Sequence, residues 1–345
     1  MSQVLLTSDA HLGCRNNSEI YLNTYVRNNR DFVIPLIKEY DIEEHHELGD
    51  DWDNRNVINT KVASIYIQEH DYYSKQCPKV KRKKGTGNHD CYYKNTRKIN
   101  SIESFLAGRY KNLEIITELK EFKVGSASFI FAPWFVTNEE ASEFFKHKAD
   151  VALGHFAIRD FELVPGIIDK EGLLPDWFRK SFKLTFSGHY HIRREYDGIV
   201  MVGNPYQMTW NDYNNEKGAY ILDTETLEYK FIPNTLAPKY VKIMLSRFDE
   251  CKREDIENNF LKLYVDVETK DSELIKINDK IISWKPLSFN VEEILNAKVD
   301  YSGLDVALND PIHDLYQYIE NRKDNYDKNK LFSIIQELQR EINLQ

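Results

Sequence analysis

Five short segments rich in glycine, aspartate, asparagine and histidine each follow an apolar or strand-like run, and they limit the fold more than any other feature. In an open α/β sheet, the loops that leave the carboxyl ends of the strands meet at one edge, so such turns can converge on one site. Glycine in these turns lets the backbone bend sharply and a ligand approach closely. The segments are Ser8-Asp9-Ala10-His11, Gly49-Asp50-Asp51-Trp52-Asp53, Gly87-Asn88-His89-Asp90, Gly154-His155-Phe156 and Gly188-His189-Tyr190-His191.

Outside these turns, the apolar pattern predicts a mixed fold. Strand-like runs alternate with helical periodicity, and the last three runs before residue 233 follow one another without a helix. This order is typical of an α/β (α+β) sandwich of mixed sheets flanked by helices, and not of a doubly wound sheet. The predicted strands are 3–7, 113–119, 121–124, 128–132, 150–153, 183–186, 199–202, 218–223 and 228–232, and the predicted helices are 23–40, 60–75, 100–110 and 139–148.

The length of the chain indicates more than one unit. A single core stops growing near about 250–300 residues, and this chain has 345, of which 41% are apolar. The stretch from Pro233 to Pro238 is expected to end a first unit over 1–235. A second unit over 236–297 and a terminal segment over 298–345 should follow. The second unit has predicted strands at 240–245, 261–267 and 280–287 and a helix at 272–277, and the terminal segment has a linker and amphipathic helices at 312–319 and 331–342.

Composition narrows the class of protein. Lys and Arg number 46 against 55 Asp and Glu, and a net charge of −9 argues against a protein that simply coats nucleic acid. It does not exclude an enzyme acting on phosphodiesters, since metal ions can supply local positive charge. The longest apolar run is far shorter than the ~18–20 residues that span a bilayer, so no membrane segment is expected. Four cysteines without a CxxC pair indicate reduced thiols and a cytoplasmic location.

The donors in the five segments are those of a two-metal site. A carboxylate has two oxygens and can bridge two cations about 3.5–4 Å apart. Nitrogen and oxygen donors without sulfur suit Mn(II), Fe or Zn better than Ca, and spacing alone does not choose among them. The alternative, a sandwich whose loops happen to be rich in these residues, would leave clustered carboxylates unneutralised. We expect one cation on Asp9, His11 and His191, the other on Asn88, His155 and His189, and Asp50 as the bridge.

Three further residues of these turns have expected catalytic or supporting roles. His89 is not needed as a ligand, and it is the best candidate to protonate the leaving oxygen or to stabilise transition-state charge. Asp53 is expected to orient His89, and Asp90 to orient a ligand or the Asn88 turn. For both aspartates, a plain role as loop caps is an equal alternative.

This set of motifs resembles the calcineurin-like metallophosphoesterases. The GDxxD spacing, the run Gly87–Asn95, Ala132-Pro133-Trp134, the GHYH segment and Val202-Gly203-Asn204-Pro205 together resemble the SbcD-type nuclease subunits of double-strand-break repair complexes, and most of all their phage recombination-endonuclease members. The resemblance covers nearly the whole chain. It implies a metallophosphoesterase nuclease domain over 1–235, a small DNA-binding capping domain over 236–297, and partner-binding helices within 298–345.

The same resemblance implies an activity and partners. It implies a Mn(II)-dependent 3′→5′ exonuclease and endonuclease that acts on DNA, a homodimer, and a partner ATPase of the SbcC/Rad-type coiled-coil class. Two alternatives stay open: another enzyme of the superfamily that acts on phosphoproteins or small nucleotides, and a scaffold subunit that binds DNA ends without catalysis. The GDxVDRG pattern of the phosphoprotein phosphatases is absent, because Asn54-Arg55 follows Asp53.

Two expected strands depart from the usual pattern. Residues 42–48 are rich in Glu and His, and residues 79–86 are rich in Lys and Arg, whereas buried parallel strands are normally apolar. We expect the two to lie side by side toward a sheet edge, with opposite charges paired across them. His45 and His46 are then paired or solvated side chains and not metal ligands.

The basic character continues past the second of these strands. Nine Lys and Arg against one acid lie between Lys75 and Lys98, beside the predicted catalytic histidine. Such a stretch can contact a DNA backbone, and nearby tyrosines can stack on bases. A solvated face and ordinary packing are the alternatives. The candidate DNA contacts are Lys94, Arg97, Lys98 and Tyr206.

Overall fold

The computed structural model describes residues 2–266 and 269–294. Its helices are α1 (Cys14–Asn17), α2 (Glu19–Arg27), α3 (Ile34–Glu39), α4 (Thr60–Gln76), α5 (Ser101–Leu106), α6 (Asn138–Phe144), α7 (Pro175–Ser181), α8 (Arg253–Ile256) and α9 (Asp271–Ser283), with a π-helical segment at Asn28–Val33 between α2 and α3. Its strands are β1 (Gln3–Thr7), β2 (Glu44–Glu47), β3 (Lys81–Gly85), β4 (Cys91–Tyr93), β5 (Thr96–Asn100), β6 (Leu113–Ile116), β7 (Lys120–Val124), β8 (Ala127–Ala132), β9 (Ala149–His155), β10 (Glu162–Val164), β11 (Ile167–Ile168), β12 (Phe182–Gly188), β13 (Arg194–Tyr196), β14 (Ile199–Met201), β15 (Gly218–Asp223), β16 (Tyr229–Pro233), β17 (Tyr240–Met244), β18 (Phe260–Asp266) and β19 (Ser288–Ile294).

Two six-stranded sheets face each other across the main core. Their strand orders are β16-β15-β1-β2-β3-β6 and β13-β14-β12-β9-β8-β7. Successive side chains of a strand point to opposite faces, so Leu6 packs with Phe131 and Leu153 between the sheets, whereas Leu5 lies on the outer face. Each of these fully buried side chains stabilises the fold by about 1.5–3 kcal/mol.

Helices cover the outer face of each sheet. On one side, Leu5 and Ile221 belong to an apolar cluster that includes α3 and Tyr73 of α4. On the other side, Ile130 packs with Phe144 of α6, and α7 belongs to the same cluster. The result is a helix–sheet–sheet–helix sandwich, which confirms the predicted α/β fold class.

Parallel pairing brings the five motif turns to one edge of the sandwich. β1, β2 and β3 lie side by side in parallel, and so do β8, β9 and β12. In such sheets, the carboxyl ends of the strands form the ligand-binding edge. Residues 8–11 follow β1, 49–53 follow β2, 87–90 follow β3, 154–156 close β9, and 188–191 close β12.

β2 and β3 are neighbours inside the first sheet. They lie side by side toward one edge of the sheet, as predicted, with the edge strand β6 next to β3 and with β1 on the other side of β2. The predicted charge pairing is confirmed: Glu47 lies 2.6 Å from Nζ of Lys84 and 2.7 Å from the guanidinium of Arg82, and Glu44 pairs with Lys83. A buried charge without a partner is strongly destabilising, so these pairs permit a charged segment at this depth.

The two histidines of β2 are buried and paired. Nε2 of His45 lies 2.8 Å from Oγ1 of Thr7, and Nδ1 lies 3.1 Å from the hydroxyl of Tyr73. Nε2 of His46 lies 3.0 Å from a carboxylate oxygen of Glu44. Both rings therefore belong to the interior of the sheet, as expected for side chains that are not metal ligands.

The buried ring of His45 should make the protein less stable in mild acid. Burial lowers the pKa of His45 to about 3, from 6.5 for an exposed ring. Between these values, the unfolded state binds more protons than the folded state, so the free energy of unfolding should fall by about 1.4 kcal/mol per pH unit as the pH drops below 6.5. Urea unfolding of His45→Gln should show a pH slope smaller by about this amount. If the unfolding free energies of both proteins fall equally with pH, the buried ring of His45 is not the cause of the loss of stability in acid.

A small three-stranded sheet, β17-β18-β19, follows the sandwich, and α9 packs on it. β17 begins two residues after Pro238. The strand predicted at 280–287 is wrong, because α9 extends through its first part and β19 starts after it. The adjacent residues Ile281 and Ile282 suggested a strand, but the helix buries Ile281 completely and leaves Ile282 64% exposed.

Aromatic side chains connect the small sheet to the sandwich. The ring of Tyr240 stacks on Phe260 at 4.7 Å, and Phe260 stacks on Tyr21 of α2 at 5.7 Å. The hydroxyls of Tyr21 and Tyr240 share a hydrogen bond, and Met208 joins the same cluster. The small sheet is thereby seated on the segment that follows β14.

The predicted terminal helices at 312–319 and 331–342 lie outside the described residues. Among residues 2–266 and 269–294, no helix combines the length and apolar character that crossing a bilayer would require.

Candidate metal centre

Four of the seven predicted ligands have left-handed backbone conformations. The φ angles are 53° for Asp9, 41° for His11, 53° for Asp50 and 91° for His189. Such conformations cost about 1–3 kcal/mol each in non-glycine residues and persist only where the surroundings enforce them. The surrounding structure therefore holds these four residues in an unfavourable backbone conformation that directs their side chains to one point.

Asp9, His11 and His191 form the first donor group. Nε2 of His191 lies 2.9 Å from Nε2 of His11, which in turn lies 3.8 Å from Oδ1 of Asp9. The two imidazole nitrogens face each other in a buried site, where a cation can accept both lone pairs. Nδ1 of His11 is buried without a hydrogen-bond partner, and the carboxylate of Asp53 lies 3.8 Å from it.

Asn88, His155 and His189 form the second donor group. Oδ1 of Asn88 lies 3.2 Å from Nε2 of His155 and 3.0 Å from Nδ1 of His189. The other nitrogen of His155 lies 3.0 Å from the carbonyl oxygen of Leu48, so Nδ1 carries a hydrogen and Nε2 is the nitrogen that faces the site. The structure therefore brings this predicted set together.

The carboxylate of Asp50 stands between the two groups. Its Oδ2 lies 3.2 Å from Nε2 of His155 and 3.7 Å from Nε2 of His11. Its Oδ1 accepts a hydrogen bond of 2.8 Å from the backbone N–H of His89. This is the position that a bridging carboxylate requires.

The site combines buried carboxylates with imidazoles whose pKa values are shifted in opposite directions. Burial lowers the pKa of His189 and of His191 to about 4, so both rings offer a lone pair at neutral pH. Burial also lowers the pKa of His155, but the carboxylate of Asp50 outweighs it and raises that pKa to about 9. Asp50 therefore favours a positive charge beside it, whether a proton or a cation.

The donors present fit two divalent cations. Groups of nitrogen and oxygen donors within 4.8 Å of one another include Asp9 with His11 and His191, and Asp9 with Asp50 and His155. Glycines keep the carboxylates in place: a Cβ at Gly87 would lie 2.1 Å from Oδ1 of Asp50, and one at Gly188 would lie 2.8 Å from Oδ2 of Asp9. Larger residues at either position would displace a donor.

His89 is held beside the donors by the backbone of Asp53 and not by its side chain. Its Nδ1 lies 2.7 Å from the backbone carbonyl oxygen of Asp53, whereas the Asp53 carboxylate faces His11. The ring of His89 meets that of His11 edge to face at 4.9 Å. Because a carbonyl oxygen only accepts, Nδ1 carries the hydrogen and Nε2 is the atom that can exchange a proton with a substrate.

Asp90 ties two of the motif turns together. Its Oδ2 accepts hydrogen bonds of 2.8 Å from the backbone N–H groups of Asp50 and Gly87, and its Oδ1 accepts those of Asp51 and Trp52 at 3.0 and 3.3 Å. The side chain is 1% exposed. Asp90 thus positions both the bridging residue Asp50 and the Asn88 turn, which is more than the capping of a single loop.

The predicted DNA contacts have different environments. Lys98 is exposed on the β4–β5 hairpin, and Lys94 lies in its turn. Arg97 forms an ion pair of 2.7 Å with Glu140, and it donates a hydrogen bond of 2.8 Å to the carbonyl oxygen of Trp134. Tyr206 corrects the prediction: it is 1% exposed and its hydroxyl donates to Ala10, so its ring is a packing element and not an open stacking surface.

The predicted site residues leave out two buried ion pairs that lie behind the donors. Lys217 pairs with Asp212 at 2.8 Å and donates to the carbonyl oxygen of His191. Lys84 pairs with Asp51 at 2.7 Å. The second pair had a signal, since a lysine in a strand that leads into a motif turn needs a partner at that depth.

A comparison of the sequence with known proteins finds a phage relative. The chain is 28% identical over 239 residues to exonuclease subunit 1 of Enterobacteria phage T4, which covers 67% of this chain and 68% of the phage protein. No protein-family model matches. This homology confirms the resemblance to SbcD-type nuclease subunits, and with the clustered donors it confirms the predicted class, a metal-dependent phosphodiesterase.

A comparison with solved structures finds phosphoesterases at low similarity. An archaeal phosphodiesterase is 13% identical with a TM-score of 0.34, and the match covers 67% of this chain and 99% of the other. A dimetal phosphatase from Danio rerio is 11% identical with a TM-score of 0.43, and the match covers 64% of this chain and 91% of the other.

Proposed function

We propose that this metal-dependent phosphodiesterase, a homologue of the phage exonuclease subunit, is the Mn(II)-dependent DNA nuclease subunit of a double-strand-break repair or recombination complex, with 3′→5′ exonuclease and endonuclease activity. The observation that carries the proposal is the position of Asp50 between two nitrogen-rich donor groups. When bound, two divalent cations supply Lewis-acid stabilisation of a phosphodiester and an activated water. The donor chemistry suits Mn(II).

The residues of the chain have separate parts in this reaction. Asp9, His11 and His191 would hold one cation, Asn88, His155 and His189 would hold the other, and Asp50 would serve both. His89 gives a proton from Nε2 to the leaving oxygen, and the carbonyl of Asp53 fixes its ring. Asp90 keeps the turns that carry Asp50 and Asn88 in register.

A nucleic-acid substrate is supported by the hairpin that follows His89. Tyr92 and Tyr93 of β4 are 44% and 49% exposed, although large aromatic side chains are usually buried. Lys98 is exposed on the partner strand. Exposed aromatic rings next to basic side chains form a surface on which bases can stack while phosphates are contacted. A small phosphomonoester needs no such surface.

The remaining parts of the proposal concern assembly. Residues 236–297 would act as a capping unit that contacts DNA, and the aromatic seam around Tyr240 and Phe260 would set its position. The helices predicted from sequence within 298–345 would dock on an ATPase of the SbcC/Rad-type coiled-coil class, and two copies of the chain would form a homodimer. The support is the homology, because the phage relative is named as a subunit.

Removing divalent cations should abolish cleavage of DNA. The experiment uses purified full-length chain and end-labelled linear duplex, with Mn(II), Mg(II) or EDTA. We expect cleavage with Mn(II), less with Mg(II), none with EDTA, and recovery when Mn(II) is restored. Without cations, the site carries only the negative charge of its carboxylates, which repels a phosphodiester. Hydrolysis of p-nitrophenyl phosphate without cleavage of any DNA would instead favour the small-substrate phosphatase. Cleavage that persists in EDTA would contradict the two-metal site.

A further inference from the structure

Two consecutive lysines of β3 are buried in the sandwich, and each pairs with a glutamate of β2. Lys83 is 8% exposed and pairs with Glu44, while Lys84 is 1% exposed and pairs with Glu47. Because successive side chains of a strand point to opposite faces, the two lysines have different surroundings. Nζ of Lys83 lies 4.3 Å from the ring of Phe122, away from the metal donors.

Lys84 reaches the turn that carries the bridging carboxylate. Its Nζ lies 2.7 Å from Oδ2 and 2.9 Å from Oδ1 of Asp51, the residue directly after Asp50. The hydroxyl of Tyr66 on α4 donates to the same carboxylate. The side chain of Asp51 is therefore held from the strand and from the helix.

The turn needs such a contact for two reasons. Asp50 has a left-handed backbone with a φ of 53°, a conformation that a free loop would relax. The carboxylates of Asp50, Asp51 and Asp90 are all buried within the same turns, and like charges this close repel one another. A lysine ammonium on Asp51 offsets part of that repulsion on the side away from the cation donors.

We propose that Lys84 is a positioning residue of the metal centre: by clamping Asp51, it holds the Asp50 turn in the conformation that binds metal. This rests on the proposed two-cation site and extends it to the charged strand β3. It also gives that strand a function, since Lys84 is linked through Asp51 to the bridging residue, whereas Lys83 is linked only to the interior of the sandwich.

Lys84→Met should weaken metal binding, and Lys83→Met should not. Loss of a residue that supports a metal ligand typically costs 10–100-fold in metal affinity, so we expect an increase of this size in the Kd for Mn(II) of Lys84→Met. Lys83→Met is the matched control, since it removes an adjacent buried ammonium from the same strand. It takes away one of the partners of Glu44, just as Lys84→Met takes away one of the partners of Glu47. Both variants should unfold at lower temperature in EDTA, but only Lys84→Met should lose affinity.

Mn(II) binding is measured on the full chain by electron paramagnetic resonance titration of free Mn(II), with the folded state checked by circular dichroism. The cleavage assay adds a second readout: in Lys84→Met the Mn(II) concentration for half-maximal rate should rise, while kcat at saturating Mn(II) stays close to the parent value. If Lys84→Met fails to fold, Asp51→Ala cuts the same contact from the other end and leaves the Lys84–Glu47 pair in place.

The outcomes are distinct. Unchanged Mn(II) affinity in a folded Lys84→Met or Asp51→Ala protein would overturn the inference, as would an equal loss in Lys83→Met. Lys84→Arg keeps the charge and should recover part of the affinity, which a purely steric role would not predict. If the parent protein itself does not bind Mn(II), then the proposed function fails, and that result is separate from any difference between the variants.

Discussion

Changing His89 to asparagine should slow phosphodiester cleavage by about 10²–10⁴-fold, the range for loss of a general acid–base residue. The carbonyl of Asp53 occupies the Nδ1 hydrogen of His89, which leaves Nε2 to protonate the leaving oxygen. The amide of an asparagine can keep the bond to Asp53, but it has no proton to give at neutral pH. The backbone N–H of residue 89 still donates to Asp50, so the bridging carboxylate should stay in place.

This prediction separates catalysis from metal binding. Rates are measured with linear duplex at saturating Mn(II), and Mn(II) affinity is measured by titration. Donor atoms of His89, His11 and Asp50 also lie within 4.8 Å of one another, so His89 could itself be a ligand. If His89→Asn lowers the Mn(II) affinity by more than the roughly 10-fold typical of a supporting residue, His89 binds a cation. Asp53→Ala is the control. It keeps the carbonyl that orients His89, so its kcat should change little, and an equal loss in both variants would mean that the Asp53 carboxylate matters.

Most of the fold could be predicted because its strands are apolar. Runs such as those of β1 and β8 bury their side chains against another layer, and their pattern follows directly from that burial. β2 and β3 lack this signal, because their stability depends on ion pairs between two segments about 35 residues apart, Glu47 with Arg82 and Lys84. The charge pattern predicts a position toward a sheet edge, but it gives no information on whether a further strand, here β6, will cover β3.

The metal donors could be predicted from sequence because each lies at or just after the carboxyl end of a strand, where topology alone brings them together. Supporting atoms could not. The acceptor for His89 is the backbone carbonyl of Asp53, and since every residue has such a carbonyl, no residue type in the sequence marks it. The role of Tyr206 also depends on burial beneath α2 and the small sheet, and no local pattern encodes that.

Asp90→Asn should destabilise the protein and reduce metal affinity together. The carboxylate accepts four backbone N–H groups from the Asp50 and Gly87 turns, two on each oxygen. An asparagine offers one oxygen, and its NH₂ faces the other two donors, which are then left buried and unpaired. Each such group costs about 1–3 kcal/mol, so the free energy of unfolding in EDTA should fall by roughly 2–6 kcal/mol.

The metal affinity should fall because the same bonds hold the turns of Asp50 and Asn88 in their relative positions. Loss of this kind of support typically weakens binding 10–100-fold, and Mn(II) titration of Asp90→Asn should show it. Asp223→Ala is the control: Oδ1 of Asp223 accepts two backbone N–H groups in a turn, and Asp223 pairs with Gln3 at the opposite end of β1 from Asp9. Alanine is used because both bonds fall on one oxygen, which an asparagine would keep. That variant should lose stability without losing affinity. A folded Asp90→Asn protein that binds Mn(II) as tightly as the parent would show that the two turns reach their register without Asp90.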